Sequence, residues 1–378
     1  MNNTIFQGSG LNGTDVDVFR LSLSEGVTSS PNVSYGDSAG FSSIYEAALI
    51  INEYYLWPIF AVGFPGNLAS IVTIFRMRSV GSFTLYVVLL AIMDNCALLV
   101  KLIIYQLLRQ KVNIGDTGCR AFIFLGTFCT TYANWILVLM AGERLIAVRF
   151  PLKIQKYLDY KKSIIWICVV GVLLFGAYTP ILWFYSYESG SCTYPPDSME
   201  TVRYLHWSNL SLSAFIPFVC MSLFNVLIMR VIRQSFRLRN ALRNVNSTPL
   251  TRRSSCHDVS TQRQIMLMLF TAAFVFVIFV FPLCALAVAN VYVEHKAGTL
   301  SFELYYLCGQ IAYVLFDSTH ALNFYLYFLS ARKFRHHFLR LTSCKSAKEK
   351  PITLSLQFRN QFNRMSLLTA GSTRPTAV

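Results

Sequence analysis

Charge is scarce in this chain. Asp, Glu, Lys and Arg together make up 13% of its 378 residues, against 54% hydrophobic and 15% aromatic residues. A soluble domain carries about 25% charged residues, so a water-facing globule is excluded. Disorder is excluded for most of the length as well, because disordered chains are charge-rich and aromatic-poor. No C-x-x-C pair and no His/Cys cluster with zinc spacing is present, so no metal site is expected. No cofactor loop or nucleophile–base pair stands out either, so the chain is expected to be neither an enzyme nor a cofactor carrier. The first 53 residues lack a basic-then-apolar signal peptide, which leaves targeting to the first apolar stretch.

Seven long apolar stretches are present instead. Residues 54–75, 121–142, 163–187, 204–229 and 264–293 contain no Asp, Glu, Lys or Arg. The second stretch, 83–108, holds Asp94 and Lys101, and the seventh, 304–331, holds Asp317. Crossing roughly 30 Å of hydrocarbon takes about 20 apolar residues as a helix. The runs are too long for barrel strands and lack their alternation. Prolines inside them (Pro58, Pro65, Pro180, Pro217, Pro282) are tolerated in membrane helices, whose neighbours satisfy the freed carbonyls. The expected fold is an all-α seven-transmembrane-helix bundle with an amphipathic cytoplasmic eighth helix.

The formal net charge is +15, and its distribution reports topology rather than nucleic-acid binding. With the N-terminus outside, the segments 76–82, 143–162, 230–263 and everything after 331 are cytoplasmic, and they hold 26 of the 33 Lys and Arg residues. Such enrichment sets orientation and favours contact with anionic lipid. The expected division is an exterior N-terminal tail (1–53), disordered and glycosylated, then the bundle (54–331), the amphipathic helix (332–343) and a cytoplasmic tail (344–378). Asn2, Asn12 and Asn32 each begin an N-x-Ser/Thr sequon in the exterior tail. The sequons at Asn209 and Asn246 fall in a membrane helix and on the cytoplasmic side, and read as chance matches.

A set of landmarks stands in order on these stretches. Gly66-Asn67 lies in the first and Leu90-Ala91-Ile92-Met93-Asp94 in the second. Cys119 opens the third, which ends on Glu143-Arg144-Leu145, with Pro151 in the following loop and Trp166 in the fourth. Pro217 marks the fifth, Phe276 and Pro282 the sixth, and Asn323-Phe324-Tyr325-Leu326-Tyr327 the seventh, with Phe334 beyond it. In these residues the chain resembles the rhodopsin-like family of G-protein-coupled receptors, from about residue 55 to 340. Asn225 and Asn323-Phe324 look similar to invertebrate neuropeptide receptors of the FMRFamide-like kind.

The resemblance implies a plasma-membrane receptor that binds an extracellular peptide and activates heterotrimeric G proteins, with arrestin and receptor kinase as further partners. It implies a disulfide between Cys119 and Cys192, both exterior in the topology above, where thiols pair. It implies that Asn67, Asp94, Glu143, Arg144, Pro217, Phe276, Pro282, Asn323 and Tyr327 serve activation and G-protein coupling. Arg144 would exchange a pairing with Glu143 for contacts to the G protein. Asp94 is expected to hydrogen-bond Asn67 and Asn323. Departures bear on the switch: Phe324 replaces the family's proline, Val280 a tryptophan, Asn225 a tyrosine, and Ala133 a serine that commonly helps hold an allosteric sodium ion.

Two absences narrow the ligand. Gly126 stands where amine receptors of the family place an aspartate, and Asp317 where opsins place the retinal lysine. Lys101 lies seven residues after Asp94, about 10.5 Å further along one helix face. An isolated intramembrane charge is costly, so Lys101 and Asp317 should face inward, pair with each other, or take a charged ligand group. The expected ligand site is Lys101, Asp317 and Gly126, with Asp317 accepting a basic ligand residue. The alternatives are a receptor for a small non-peptide ligand and, in a different class, a seven-helix transporter or channel. In the tail, Cys344 follows the basic run Arg332–Arg340 and is a palmitoylation candidate. The ending Thr376-Ala377-Val378 suits capture by a PDZ domain, and Arg252-Arg253-Ser254-Ser255 forms a basic-directed kinase pattern.

Overall fold

The computed structural model describes residues 43–77, 82–150, 160–188, 190–193, 199–245, 256–292, 299–330 and 332–342. Asn2, Asn12, Asn32, Pro151, the Arg252–Ser255 pattern, Cys344, Thr376 and Val378 lie outside these residues. The first span is built from α1 (Ser43–Tyr54) and α2 (Leu56–Arg76), so helix begins well before residue 54. The second and third spans are α3 (Ser82–Arg109) and α4 (Gly115–Arg149). The fourth is α5 (Tyr160–Tyr178) with the short α6 (Ile181–Phe184), followed by a hairpin of β1 (Ser186–Glu188) and β2 (Ser191–Thr193). The fifth joins α7 (Met199–Leu210), a π-helical turn (Ser211–Phe215) and α8 (Ile216–Val245). The sixth is α9 (Cys256–Tyr292) and the seventh α10 (Leu300–Ser330), with α11 (Arg332–Thr342) after it.

Among the described residues, six helical stretches are long and apolar enough to cross a membrane. The seventh, α10, has 31 residues and so measures about 46 Å. Its hydropathy is lowered by Gln310, Asp317, Thr319, His320 and Asn323, all of them buried. Large apolar residues such as Ile165, Trp166, Val172 and Leu173 of α5 are exposed, as expected of a surface solvated by lipid tails.

The residues 230–263, expected as a loop, are largely helix, because α8 runs on to Val245 and α9 starts at Cys256. Arg230, Arg233 and Arg237 recur at helical spacing, and arginine is a good helix former. α10 continues unbroken through Phe324, where the family has proline. Phe324 and Tyr327 instead pack against Phe334, which is almost fully buried.

α4 is the central column, packing against α3, α5, α8 and α9, while α10 lies against α2, α3 and α9. The α2–α10 crossing is tightest at a glycine. A Cβ on Gly63 would lie 2.8 Å from Cβ of Ala321, so any larger residue must push the two helices apart.

The π turn has a local cause. Pro217 has no N–H to give the carbonyl of Ser213, and its ring would press on that oxygen. The widened turn presents carbonyls sideways to α4. Asn134 donates to Ser213 O at 2.8 Å and Trp135 to Leu212 O at 2.9 Å.

Candidate functional site

At one end of the bundle a hairpin is fastened across the top of α4. Cys119 and Cys192 form a disulfide, with Cα atoms 5.7 Å apart. Two further ties reinforce it. Arg120 Nε donates to the carbonyl of Tyr185 at 2.6 Å, and the amide of Tyr187 donates to Asp116 Oδ1 at 2.8 Å. The disulfide expected from exterior placement and family pattern is therefore present.

Beneath the hairpin lies a cavity of about 130 Å³ whose wall includes Lys101, Gly126, Thr130, Tyr178, His206 and Phe316. Lys101 is its one fixed charge among the described lining residues. Lys101 Nζ lies 2.6 Å from Asp317 Oδ1 and 6.0 Å from the centre of the Phe316 ring. Tyr55 donates to the other carboxylate oxygen of Asp317 at 3.1 Å.

Both oxygens of Asp317 are thus engaged by protein donors. The residue is 1% exposed and is absent from the cavity wall. The pairing of Lys101 with Asp317 is thus formed, and a basic group of a ligand would have to displace Lys101 or Tyr55 to reach the carboxylate. The carboxylate sits behind Lys101, where a desolvated acid is stable only because cation and hydroxyl satisfy it. Gly126 is on the wall, and a Cβ added there would meet only Val100, at 3.4 Å. A Cβ therefore fits at that position, and no acid is among the described lining residues.

The opposite wall carries a hydroxyl relay. Tyr178 donates to Asn209 Oδ1 at 3.2 Å, and its oxygen lies 2.8 Å from Thr131 Oγ1. Since the phenol has one proton, Thr131 donates to Tyr178. Asn209, the sequon inside the fifth span, is therefore engaged within the bundle.

Deeper in, Asp94 is fully buried. His320 Nδ1 lies 2.8 Å from its Oδ1, and Asn323 Nδ2 donates to its Oδ2 at 2.8 Å. The expected bond from Asn67 to Asp94 is not formed. Both N–H bonds of Asn67 are used elsewhere, on Asn95 Oδ1 and the carbonyl of His320, each at 3.0 Å.

At the far end, Glu143 Oε1 accepts from Tyr86 at 3.0 Å and from Ser163. Arg144 lines a small cleft with Asn225, Ile228, Phe270 and Ala273. Phe276 and Val280 are buried in α9 above it, with Pro282 inside the same helix.

Sequence reasoning missed Tyr55, Tyr86, Ser163 and His320. His320 had a readable signal. Asp317, His320 and Asn323 recur every three residues in an apolar span, which places a polar stripe on one helix face.

Comparison with known proteins agrees with this arrangement. Residues 66–327 match the family described as 7 transmembrane receptor (rhodopsin family). The chain is 25% identical over 295 residues to growth hormone secretagogue receptor type 1 of Oryctolagus cuniculus, covering 73% of this chain and 76% of the relative. It is 25% identical over 365 residues to neurotensin receptor type 1 of Rattus norvegicus, covering 86% and 83%. It is also 25% identical over 265 residues to a dopamine D2-like receptor of Drosophila melanogaster, covering 68% of this chain and 28% of the relative. A seven-helix bundle bearing this disulfide and this order of landmarks is a multi-pass membrane receptor and not an enzyme, and the chain belongs to the rhodopsin family of seven-transmembrane receptors.

Proposed function

We propose that this receptor binds an extracellular peptide in the cavity under the hairpin and activates heterotrimeric G proteins at the Arg144 end. One observation carries the ligand class. Among the described residues the cavity wall has Gly126 and no carboxylate to pair with an amine's ammonium, while Lys101 offers a positive group already aimed inward. The group that reaches Lys101 is then an acceptor, either a carboxylate or a peptide carbonyl. The cavity holds one or two side chains, and the rest of the peptide lies on the rim formed by the hairpin.

In this reading the hairpin end faces outside, in line with the basic residues concentrated at the other end. The ligand stabilises a bundle opened near Arg144 by binding it better than the closed one. Arrestin, a receptor kinase and a PDZ-domain protein would use the same side, through the loops and the tail carrying Cys344, Thr376 and Val378. The transporter alternative lacks support, given the family.

The test is a peptide-library screen on transfected cells, read as G-protein activation. An active peptide should lose about tenfold or more in potency at Lys101→Met, the loss expected when a charge-assisted hydrogen bond disappears. If biogenic amines activate the receptor and peptides do not, the peptide reading fails.

A further inference from the structure

The family resemblance implies a sodium ion beside Asp94, and the surrounding side chains can be checked for their fit to one. Hard cations of this kind gather about six oxygen ligands. Asp94 has two carboxylate oxygens, and each already faces a nitrogen of the seventh span: His320 Nδ1 on Oδ1 and Asn323 Nδ2 on Oδ2, each at 2.8 Å. With Asp94 ionised, Nδ1 of His320 carries the proton in that contact whether or not the ring is charged, because a carboxylate can only accept. A protonated nitrogen cannot ligate a cation. From the third span, fully buried Ala133 offers a methyl group. From the first span, Asn67 directs its N–H groups to Asn95 and to the carbonyl of His320. Its Oδ1, buried without a hydrogen-bond partner, is one oxygen and does not make a coordination shell.

The imidazole is also fixed in place. His320 is almost fully buried, its ring meets Phe316 edge-on at 6.0 Å, and its backbone carbonyl is held by Asn67. The ring fills the space between the second and seventh spans and supplies its own donor there. Nε2 makes no hydrogen bond, so the ring is anchored through Nδ1 alone.

We infer that His320 is the resident partner of Asp94 and closes this site to sodium. The tie between the second and seventh spans is then internal to the protein and indifferent to the sodium concentration outside the cell. His320 is a positioning residue: it sets the place of the Asp94 carboxylate without touching the ligand.

The experiment is thermal unfolding of the purified full-length receptor in detergent, in sodium chloride against choline chloride at equal ionic strength. Wild type should unfold at the same temperature in both salts. Ala133→Ser combined with His320→Ser restores two hydroxyl oxygens and removes the blocking ring. That variant should gain a sodium-dependent rise of about 3 °C in its midpoint, and adding Asp94→Asn should abolish the rise. The wild-type comparison does not depend on any variant folding. A sodium-dependent rise in wild type that Asp94→Asn removes would overturn the inference. So would a folded double variant that stays indifferent to sodium.

Discussion

Asp317 and Glu143 make an instructive pair. Each is a carboxylate near one end of the bundle, and each receives donors from two other spans. Asp317 is held by the ammonium of Lys101 and the phenol of Tyr55. Glu143 is held by two hydroxyls, those of Tyr86 and Ser163. The difference lies in what each arrangement leaves available. At the hairpin end the charged partner protrudes into a cavity, with Lys101 28% exposed and Asp317 1%, so the cation stays open to the cavity while the acid is enclosed. At the other end the carboxylate accepts from neutral hydroxyls, which can leave it without stranding a second buried charge. The hairpin end pairs its acid with a cation, and the Arg144 end surrounds its acid with hydroxyls.

Substitutions can break this comparison, and the largest effect should come from Lys101→Met. It leaves a desolvated carboxylate with only a hydroxyl for company, a change that costs about 3–5 kcal/mol. The thermal midpoint should fall steeply, and adding Asp317→Leu should recover most of the loss. No recovery would mean that the pair is not a unit. Next in size is Cys192→Ser, which frees the hairpin and should cost about 2–4 kcal/mol. Surface expression or ligand binding should drop with it, and normal binding together with free thiols by mass spectrometry would remove the bridge from consideration.

A smaller change is expected from Tyr86→Phe, at about 1 kcal/mol. Its sign should show in signalling: with one of its two holds gone, Glu143 is released more readily, and ligand-free G-protein activation should rise. Unchanged basal activity would erase the contrast between the two ends. The smallest effect belongs to Tyr55→Phe. The ammonium still neutralises Asp317, so stability should change by less than about 1 kcal/mol, with a modest loss of ligand potency as Lys101 becomes less well oriented.

Much of this architecture was legible before any coordinates. The seven apolar stretches, the Cys119–Cys192 bridge and the meeting of Lys101 with Asp317 followed from scarcity of charge, exterior placement and the cost of an isolated charge in lipid. Which partner faces the cavity was not legible, because it depends on a modest rotation of each helix about its own axis that the apolar pattern tolerates. Asp317 read as open to a ligand, and the structure encloses it behind Lys101. His320 was overlooked despite its spacing, since histidine in an apolar span is also an ordinary core residue. The hairpin left no trace because its two strands have three residues each and little hydrophobic alternation. Beyond Met229 the arginines suggested solvent and hence loop, although their spacing was that of a helix continuing into water.

The π turn at Ser211–Phe215 also has an arithmetic consequence. An α-helix turns about 100° per residue, and a π turn absorbs one residue without advancing that rotation. Deleting that one residue would turn the widened turn into ordinary α-helix and leave Asn209, Pro217 and Asn225 in their present phase, whereas a deletion elsewhere in the span would rotate everything after it by about a quarter of a revolution. The turn is therefore a slack link, a place where the fifth span can change length by one residue without rotating one end against the other. The penalty would fall on Pro217, whose ring would again press on the carbonyl of Ser213.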